Sequence, residues 1–300
     1  MKNRKPVLYV MCGIPASGKT TQAVKIANEK ENTSVVSSDM IRQKYFGDIN
    51  DQTHNKEVFT ILYKQVNKLL KEGNNVVLDA TNITIKMRKQ IFNSVKVPCY
   101  KHCIVMTTTY MGCRLRDIKR DRTVGREVIK KFFKSFQIPF YEEGWDKIEL
   151  HYDIEHEFNP MEYFDRMRDF NQLNHWHKYT LDIHCARTTM YLEMNYDLHM
   201  TDDLYFAAML HDYGKLLTQT IDDRLEAHYY NHANAGAYYL MSFGLDNLNT
   251  LFYINYHMLH YSWHNEKTKR RYKKLFGDEK YNRLIVLSEA DRYGSGTEEK

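Results

Sequence analysis

Two stretches of this chain combine residue types and spacings that can do chemistry. The first is GIPASGKT, Gly13 to Thr20, which fits G-x-x-x-x-G-K-[ST] in full. In that pattern backbone N–H groups cradle phosphates, the lysine (Lys19) reaches the β/γ-phosphates and the hydroxyl (Thr20) binds Mg²⁺. Gly13, Ser17 and Gly18 complete the cradle. The second is AAMLHDYGKL, residues 207–216, where His211 and Asp212 follow an apolar run. A buried charge is costly without a partner, so this doublet calls for a cation or a proton.

Each stretch needs elements to position it. PVLYVMCG (6–13) is apolar and rich in β-formers, and it reads as a buried strand feeding the glycine loop. TQAVKIANEK after it is helix-forming, which places the bound anion at a helix N-terminus. TSVVSSD (33–39), NNVVLDAT (74–81) and CIVMTTT (103–109) read as further strands. The first two end in Asp39 and Asp79, at the strand ends where parallel α/β sheets bind ligands. Asp79 is placed to organise a metal or position a substrate. Asp39, with Arg42 a turn later, either works in the site or caps the next helix. Residues 114–134 then carry nine Lys/Arg against three Asp/Glu, which suits a phosphate-rich partner.

Together these residues resemble the 5′ polynucleotide kinases that heal nucleic-acid ends. The resemblance runs over about residues 7–148, through GIPASGKT, Asp39-x-x-Arg42, VVLDATN and CRLRDIKRDRTVGREVIKKFFKSFQIP. It implies ATP and Mg²⁺ as cofactors and Asp39 as general base for an acceptor 5′-OH. It also implies that Arg42 contacts the acceptor strand and that Arg116 and Arg120 clamp the ATP phosphates. Arg116 and Arg120 are spaced i, i+4 and so share a face if the segment is helical. Arg122 and Arg126 repeat that spacing and remain open as the clamp. Phosphoryl transfer needs positioning and charge neutralisation, which arginines supply through bidentate contacts.

Beyond residue 139 only Pro160 remains among the prolines, and helical periodicity takes over. Helices are expected in 163–173, 185–194, 202–213, 231–240, 253–261 and 284–294, with a linker at about 149–160. His211, Asp212, His232, His257 and Asp291 fall on these segments, and His184 directly precedes the second. Mixed imidazole and carboxylate donors suit Mn, Fe, Co, Ni or Zn better than Ca. HKYTLDIH (177–184), LHDYGK (210–215) and the closing Asp291 resemble the HD phosphohydrolase superfamily over about residues 175–293. That resemblance implies a primary metal on His184, His211, Asp212 and Asp291, and a second on His232 and His257. Such an ion activates water near neutral pH. Lys215 then contacts a departing phosphate or serves as a helix C-terminal charge.

The expected architecture is an α/β P-loop NTPase-type parallel-sheet domain at 1–150 followed by an all-α HD domain at 160–300. Hydrophobic residues make up 43% of the chain, enough for packed cores. No apolar run approaches the ~20 residues of a membrane span. The five cysteines form no CxxC pair, which favours reduced thiols and a cytoplasmic setting. Net charge is +5, and six basic residues cluster in 267–274, a phosphate-binding patch or a solvated helix face.

The combined expectation is an RNA end-healing enzyme, with tRNA the first choice of substrate and DNA 5′ ends open. It phosphorylates 5′-OH ends and removes 3′-phosphate or 2′,3′-cyclic phosphate. Two rivals stay open: a kinase of a small nucleoside or nucleotide fused to a nucleotide phosphohydrolase, and a nucleotide-gated sensor or binding module.

Overall fold

The apolar run at the start of the chain forms β1 (Val7–Cys12), with Leu8 and Val10–Cys12 buried. Near-continuous burial, without alternation, is what a strand covered on both faces requires. In the computed structural model, which describes residues 5–154 and 156–297, β1 is the centre of a five-stranded sheet. The order is β2-β3-β1-β4-β5, with β2 (Thr33–Ser37), β3 (Asn75–Asp79), β4 (Tyr100–Met106) and β5 (Lys147–His151), every pairing parallel. The connections are α1 (Lys19–Glu29), α2 (Ser38–Phe46), α3 (Asn55–Lys71), α4 (Ile85–Ser94), α5 (Tyr110–Ile118) and α6 (Arg126–Phe133). Chain direction reverses its lateral travel at β1, so β1 marks the switch point where such sheets take ligands. Register pairs Ser37 with Asp79, which aligns the C-terminal ends of β2 and β3 beside the glycine loop.

β5 corrects the expected linker. Residues 149–151 are not connecting chain but the end of a strand on β4. The signal was weak because KIELH is short and half charged, and its burial is partial. A second strand-independent tie holds this region: Arg88 on α4 donates to both Glu143 carboxylate oxygens at 2.7 and 2.6 Å, and both side chains are buried. Removing one member of such a pair strands the other charge, at about 3–5 kcal/mol.

The second compact unit comprises Phe133–Glu142 and the described residues from Ile154 onward. Its helices are α7 (Pro160–Asp165), α8 (Leu181–Tyr196), α9 (Asp203–Leu210), α10 (Lys215–Thr218), α11 (His232–Ser242), α12 (Leu248–Tyr256) and α13 (Glu266–Ser295). A two-strand hairpin, β6 (Thr220–Ile221) and β7 (Ala227–His228), interrupts the helices. Phe133–Glu142 belongs here because its rings are part of this core. Phe140 sits edge-on to Phe252, Tyr256 and Phe276 at 5.1–5.8 Å, and Phe136 to Tyr238 at 4.9 Å. Edge-to-face pairs contribute about 0.5–1.5 kcal/mol each beyond area burial.

Two expected helices end early, and the one over 202–213 stops at Leu210. The helix expected over 163–173 ends at Asp165, and Asp169 and Leu173 adopt positive φ of 56° and 45°. The chain there is held by other bonds: Leu181 N–H donates to Phe170 O, and Gln172 Nε2 to Tyr179 O. Farther on, α13 is broken at Gly277, with φ 77° and ψ 161°, so the basic run 267–274 and the segment holding Asp291 lie on two successive helical pieces.

Candidate functional site

The glycine loop joins β1 to α1. Ala16 and Gly18 both have left-handed backbone, φ 63° and 89°. Positive φ is easy for glycine and uncommon for alanine. Lys19 Nζ donates to Ile14 O at 2.8 Å, and Thr20 Oγ1 donates to Asp79 Oδ2 at 2.8 Å. Burial lowers the Lys19 pKa, with Asp79 opposing; burial raises that of Asp79, with Thr20 and Lys19 opposing. Ser17 Oγ is buried with no hydrogen-bond partner. Thr20 and Asp79 thus offer oxygen donors side by side, the chemistry Mg²⁺ prefers.

A cavity of about 640 Å³ is lined by Lys19, Thr20, Asp79, Asp39, Arg120 and Arg122, among others. Asp39 stands in the first turn of α2, where Ser37 holds the N-cap position, so it is not the cap. Its side chain is half exposed. Arg42 Nη1 donates to Asp39 Oδ1 at 3.1 Å, and Arg122 Nη1 to Oδ2 at 3.4 Å. Arg42 is itself buried, bound to Asp51 O at 3.0 Å and Asn55 Oδ1 at 2.7 Å.

The four candidate clamp arginines do not share one helical face. α5 ends at Ile118, so Arg116 is helical and Arg120 lies beyond the helix. The cause is Asp117, a buried residue that sequence reasoning passed over. Its two carboxylate oxygens accept from Val124 N and Gly125 N at 3.0 Å each, folding 119–125 back as a loop. Arg116 stands against Gly18, where an added Cβ would lie 3.3 Å from its Nη1. It donates to Thr108 Oγ1 at 3.2 Å and Asp153 Oδ2 at 2.9 Å. Arg126 is exposed beside Glu127.

The second cluster draws on α8, the turn after α9, α11, the end of α12 and α13. Donor atoms of His184, His211, Asp212 and Asp291 lie within 4.8 Å of one another, as do those of Asp212, His232 and His257. All six residues are buried. Asp212 belongs to both groups: Oδ2 is 3.1 Å from His184 Nε2 and Oδ1 is 3.0 Å from His232 Nε2. Asp291 Oδ1 lies 3.1 Å from His184 Nε2 and 3.4 Å from His211 Nε2. Nε2 atoms also face each other, His184 to His211 at 3.1 Å and His232 to His257 at 3.1 Å.

The other ring nitrogens decide what these contacts mean. Nδ1 of His211, His232 and His257 each meets a backbone carbonyl, of Ala208, Tyr229 and Ile254, at 2.7–2.9 Å. A carbonyl accepts only, so each Nδ1 carries the proton and each neutral Nε2 presents a lone pair. Acceptors cannot bond to one another; the converging Nε2 and carboxylate atoms need a metal ion or protons among them. A metal ligated by Nε2, with Nδ1–H held by a carbonyl, is the usual arrangement. His184 is the exception, its Nδ1 buried without a partner. Cys185 Sγ approaches Nδ1 of His211 at 3.9 Å, the side of the ring away from the donors. Without a metal, burial works against charge on His211, yet Asp212 raises its pKa well above the ordinary value. Burial would lift Asp212, but Lys215 and His211 hold it well below the carboxylate range. Burial pushes His257 down to about 4.

Lys215 opens α10 and is buried, so it is not a solvent-facing charge at a helix C-terminus. Its Nζ lies 2.5 Å from Asp212 Oδ2, 2.6 Å from Gln172 Oε1 and 2.9 Å from His177 Nε2. Burial, then Lys215, pushes His177 down to about 3, so it accepts from the ammonium as a neutral ring. Neither Gln172 nor His177 was picked out as a site residue; His177 opens HKYTLDIH, whereas Gln172 had no signal. Gly214, two residues after Asp212, packs directly on α11. A Cβ there would lie 2.0 Å from His232 O and 2.7 Å from Gly236 N. This contact brings the Asp212 turn and His232 together and leaves no room for another residue type. The cluster opens into a cleft of about 840 Å³.

Residues 8–139 match the AAA domain family and residues 181–295 the HD domain family. The chain therefore joins a P-loop α/β domain that matches the AAA domain family to a helical domain that matches the HD domain family. Among solved structures, it is similar to a chain of the Pnkp1/Rnl/Hen1 RNA repair complex, at 23% identity over 43% of each chain and a TM-score of 0.40. It is similar to a kinase from Chloroflexus aurantiacus at 16% identity, over 49% of this chain and 85% of that one, with a TM-score of 0.41. A fungal RNA kinase matches at 14% identity over 76% of this chain and 52% of that one, with a TM-score of 0.38. The match thus spans under half the length of the RNA-repair chain. Among the described residues no helix is long and apolar enough to cross a membrane.

Proposed function

We propose that the protein heals both ends of broken RNA, phosphorylating 5′-OH ends with ATP and hydrolysing 3′-phosphate or 2′,3′-cyclic phosphate ends. The reading rests above all on Asp39: a half-exposed carboxylate in the same cavity as Lys19, held by Arg42 and Arg122. That is what a base for an incoming hydroxyl needs, with arginines beside it for the acceptor's phosphate. In the kinase step Asp39 takes the proton of the 5′-OH as its oxygen attacks the γ-phosphorus. Lys19 and Arg120 neutralise charge on the transferring phosphoryl group, and ADP departs. Arg116, beside Gly18, is placed to contribute at the phosphate loop. Thr20, with Asp79 behind it, would hold Mg²⁺, which would offset charge on the nucleotide phosphates.

In the HD unit His184, His211, Asp212 and Asp291 would hold one metal, and His232 and His257 would share Asp212 for a second. Such ions activate water and offset charge on the reacting phosphate. Lys215, fixed by Gln172 and His177, keeps Asp212 ionised and places a positive charge at the cleft for the phosphate. Mn, Ni, Co, Fe or Zn suits the donor set.

One RNA bearing 5′-OH and 2′,3′-cyclic phosphate, incubated with γ-labelled ATP and analysed at both ends, tests the proposal. Label at the 5′ end and loss of 3′-terminal phosphate are both expected. Label transfer to free nucleosides in preference to the strand overturns it.

A further inference from the structure

The mouth of the HD cleft carries three large rings that stay open to solvent. Trp176, Tyr230 and Tyr261 line the cleft with side chains that keep 65%, 68% and 57% exposure. Scattered exposed aromatics need no explanation, but three around one opening do. Each is backed by a histidine ring. His175 lies 4.2 Å from Trp176, His228 stacks on Tyr230 at 5.6 Å and 10°, and His260 lies 3.8 Å from Tyr261. The backing rings are anchored in turn: His175 to Glu226, His228 to Asp222 at 3.1 Å, and His260 to His257 O at 2.7 Å. Each exposed face thus has behind it a ring that is itself hydrogen-bonded.

The same cleft is lined by Asp212, Asp291 and Lys215, the phosphate-handling end. A ligand that presents a phosphate to these groups and flat rings to the aromatic mouth is a nucleotide chain. We infer that the HD cleft takes an unpaired 3′ end, its last bases splayed out and stacked on Trp176, Tyr230 and Tyr261. This rests on the proposed end-healing function and specifies its substrate. Within a duplex the faces of the bases are already stacked on one another, so a blunt end cannot supply several at once. Stacking on aromatic faces is indifferent to base identity, which suits an enzyme that must accept many broken ends.

The test uses the full chain loaded with Mn²⁺ and one RNA sequence ending in 2′,3′-cyclic phosphate, presented single-stranded or in a blunt duplex. A matched 3′-phosphate pair adds an end whose terminal nucleotide is abasic, and a free 3′-mononucleotide is the smallest probe. The single strand should exceed the blunt duplex and the mononucleotide in kcat/KM by about tenfold or more. Trp176→Ala and Tyr261→Ala should each raise KM for the single strand about tenfold, with kcat changed less. Trp176→Phe should restore most of the loss, and the wild-type preference for a base-bearing over an abasic end should shrink in Trp176→Ala. Blunt ends or the mononucleotide processed as well as the single strand, or both alanine variants within twofold of wild type, overturn the stacking inference alone. Wild-type protein that turns over none of these ends overturns the end-healing function and this inference with it.

Discussion

The two sites differ in whether they are complete without a ligand. In the P-loop unit most polar side chains of the site have partners: Lys19 with Ile14 O, Thr20 with Asp79, and Arg42 and Arg122 with Asp39. Ser17 Oγ is buried without one. In the HD unit the donors converge on one another, Nε2 against Nε2 and against carboxylate oxygen. The first arrangement suits a substrate that comes and goes, because the empty site carries little strain. The second suits a resident cation whose binding free energy belongs to the fold.

The largest expected effects break one site while sparing the other. Asp212→Ala removes the carboxylate common to both metal groups, and 3′-end hydrolysis should fall to background with 5′ phosphorylation retained. Lys19→Ala should do the reverse. End analysis of both variants on one RNA checks this; loss of both activities in either variant would mean that the two chemistries are not separable.

A smaller loss is expected within the kinase site. Arg120→Ala should reduce kcat by about 10³, the scale of a transition-state arginine. Arg122→Ala acts through the Asp39 contact and should mainly raise KM for the 5′-OH end, by about tenfold, as for an interaction worth ~1.4 kcal/mol. Steady-state kinetics separate the two. Near-wild-type turnover in Arg120→Ala would move the clamp to Arg116, now tied to Asp153.

Within the HD site, His232→Ala leaves the primary donor set whole and should slow hydrolysis by only about 10–100-fold. Excess Mn²⁺ should recover part of the loss, as judged by initial rates.

The smallest effect is on stability, and it sharpens the contrast. Metal at a thousand times its Kd adds about 4 kcal/mol to the folded state. Chelation should therefore lower the melting transition of the HD unit by roughly 10 °C at 2–4 °C per kcal/mol. Mn²⁺, Ni²⁺ or Co²⁺ should restore it and Ca²⁺ should not, by scanning calorimetry. A chelator-insensitive transition would show that protons alone satisfy the cluster.

The residues that were legible in the sequence are those whose role is local. GIPASGKT is a contiguous loop between a strand and a helix, so its residues announce their geometry. The six candidate metal donors were legible as a set, and they do converge. What stayed hidden depends on contacts across the chain. β5 forms because β4 offers it an edge, not because KIELH is strongly β-forming. Arg116 and Arg120 part company because Asp117 captures amides seven and eight residues later. Gln172 matters only because an irregular segment carries it to Lys215, in a stretch whose composition reads as helix.

The contact of Gly214 with the first turn of α11 also bears on which ion the HD unit accepts. Side chains adjust bond lengths cheaply by rotating, whereas touching backbones do not. Asp212 and His232 are carried by backbones already in contact at Gly214, so beyond what side-chain rotation allows, their donors cannot separate without moving two elements together. A large ion with long bonds and six to eight oxygens, such as Ca²⁺, would require that movement, and a small one with bonds near 2.0–2.2 Å would not. If the HD unit holds a metal as proposed, main-chain packing two residues from Asp212 would favour a small ion.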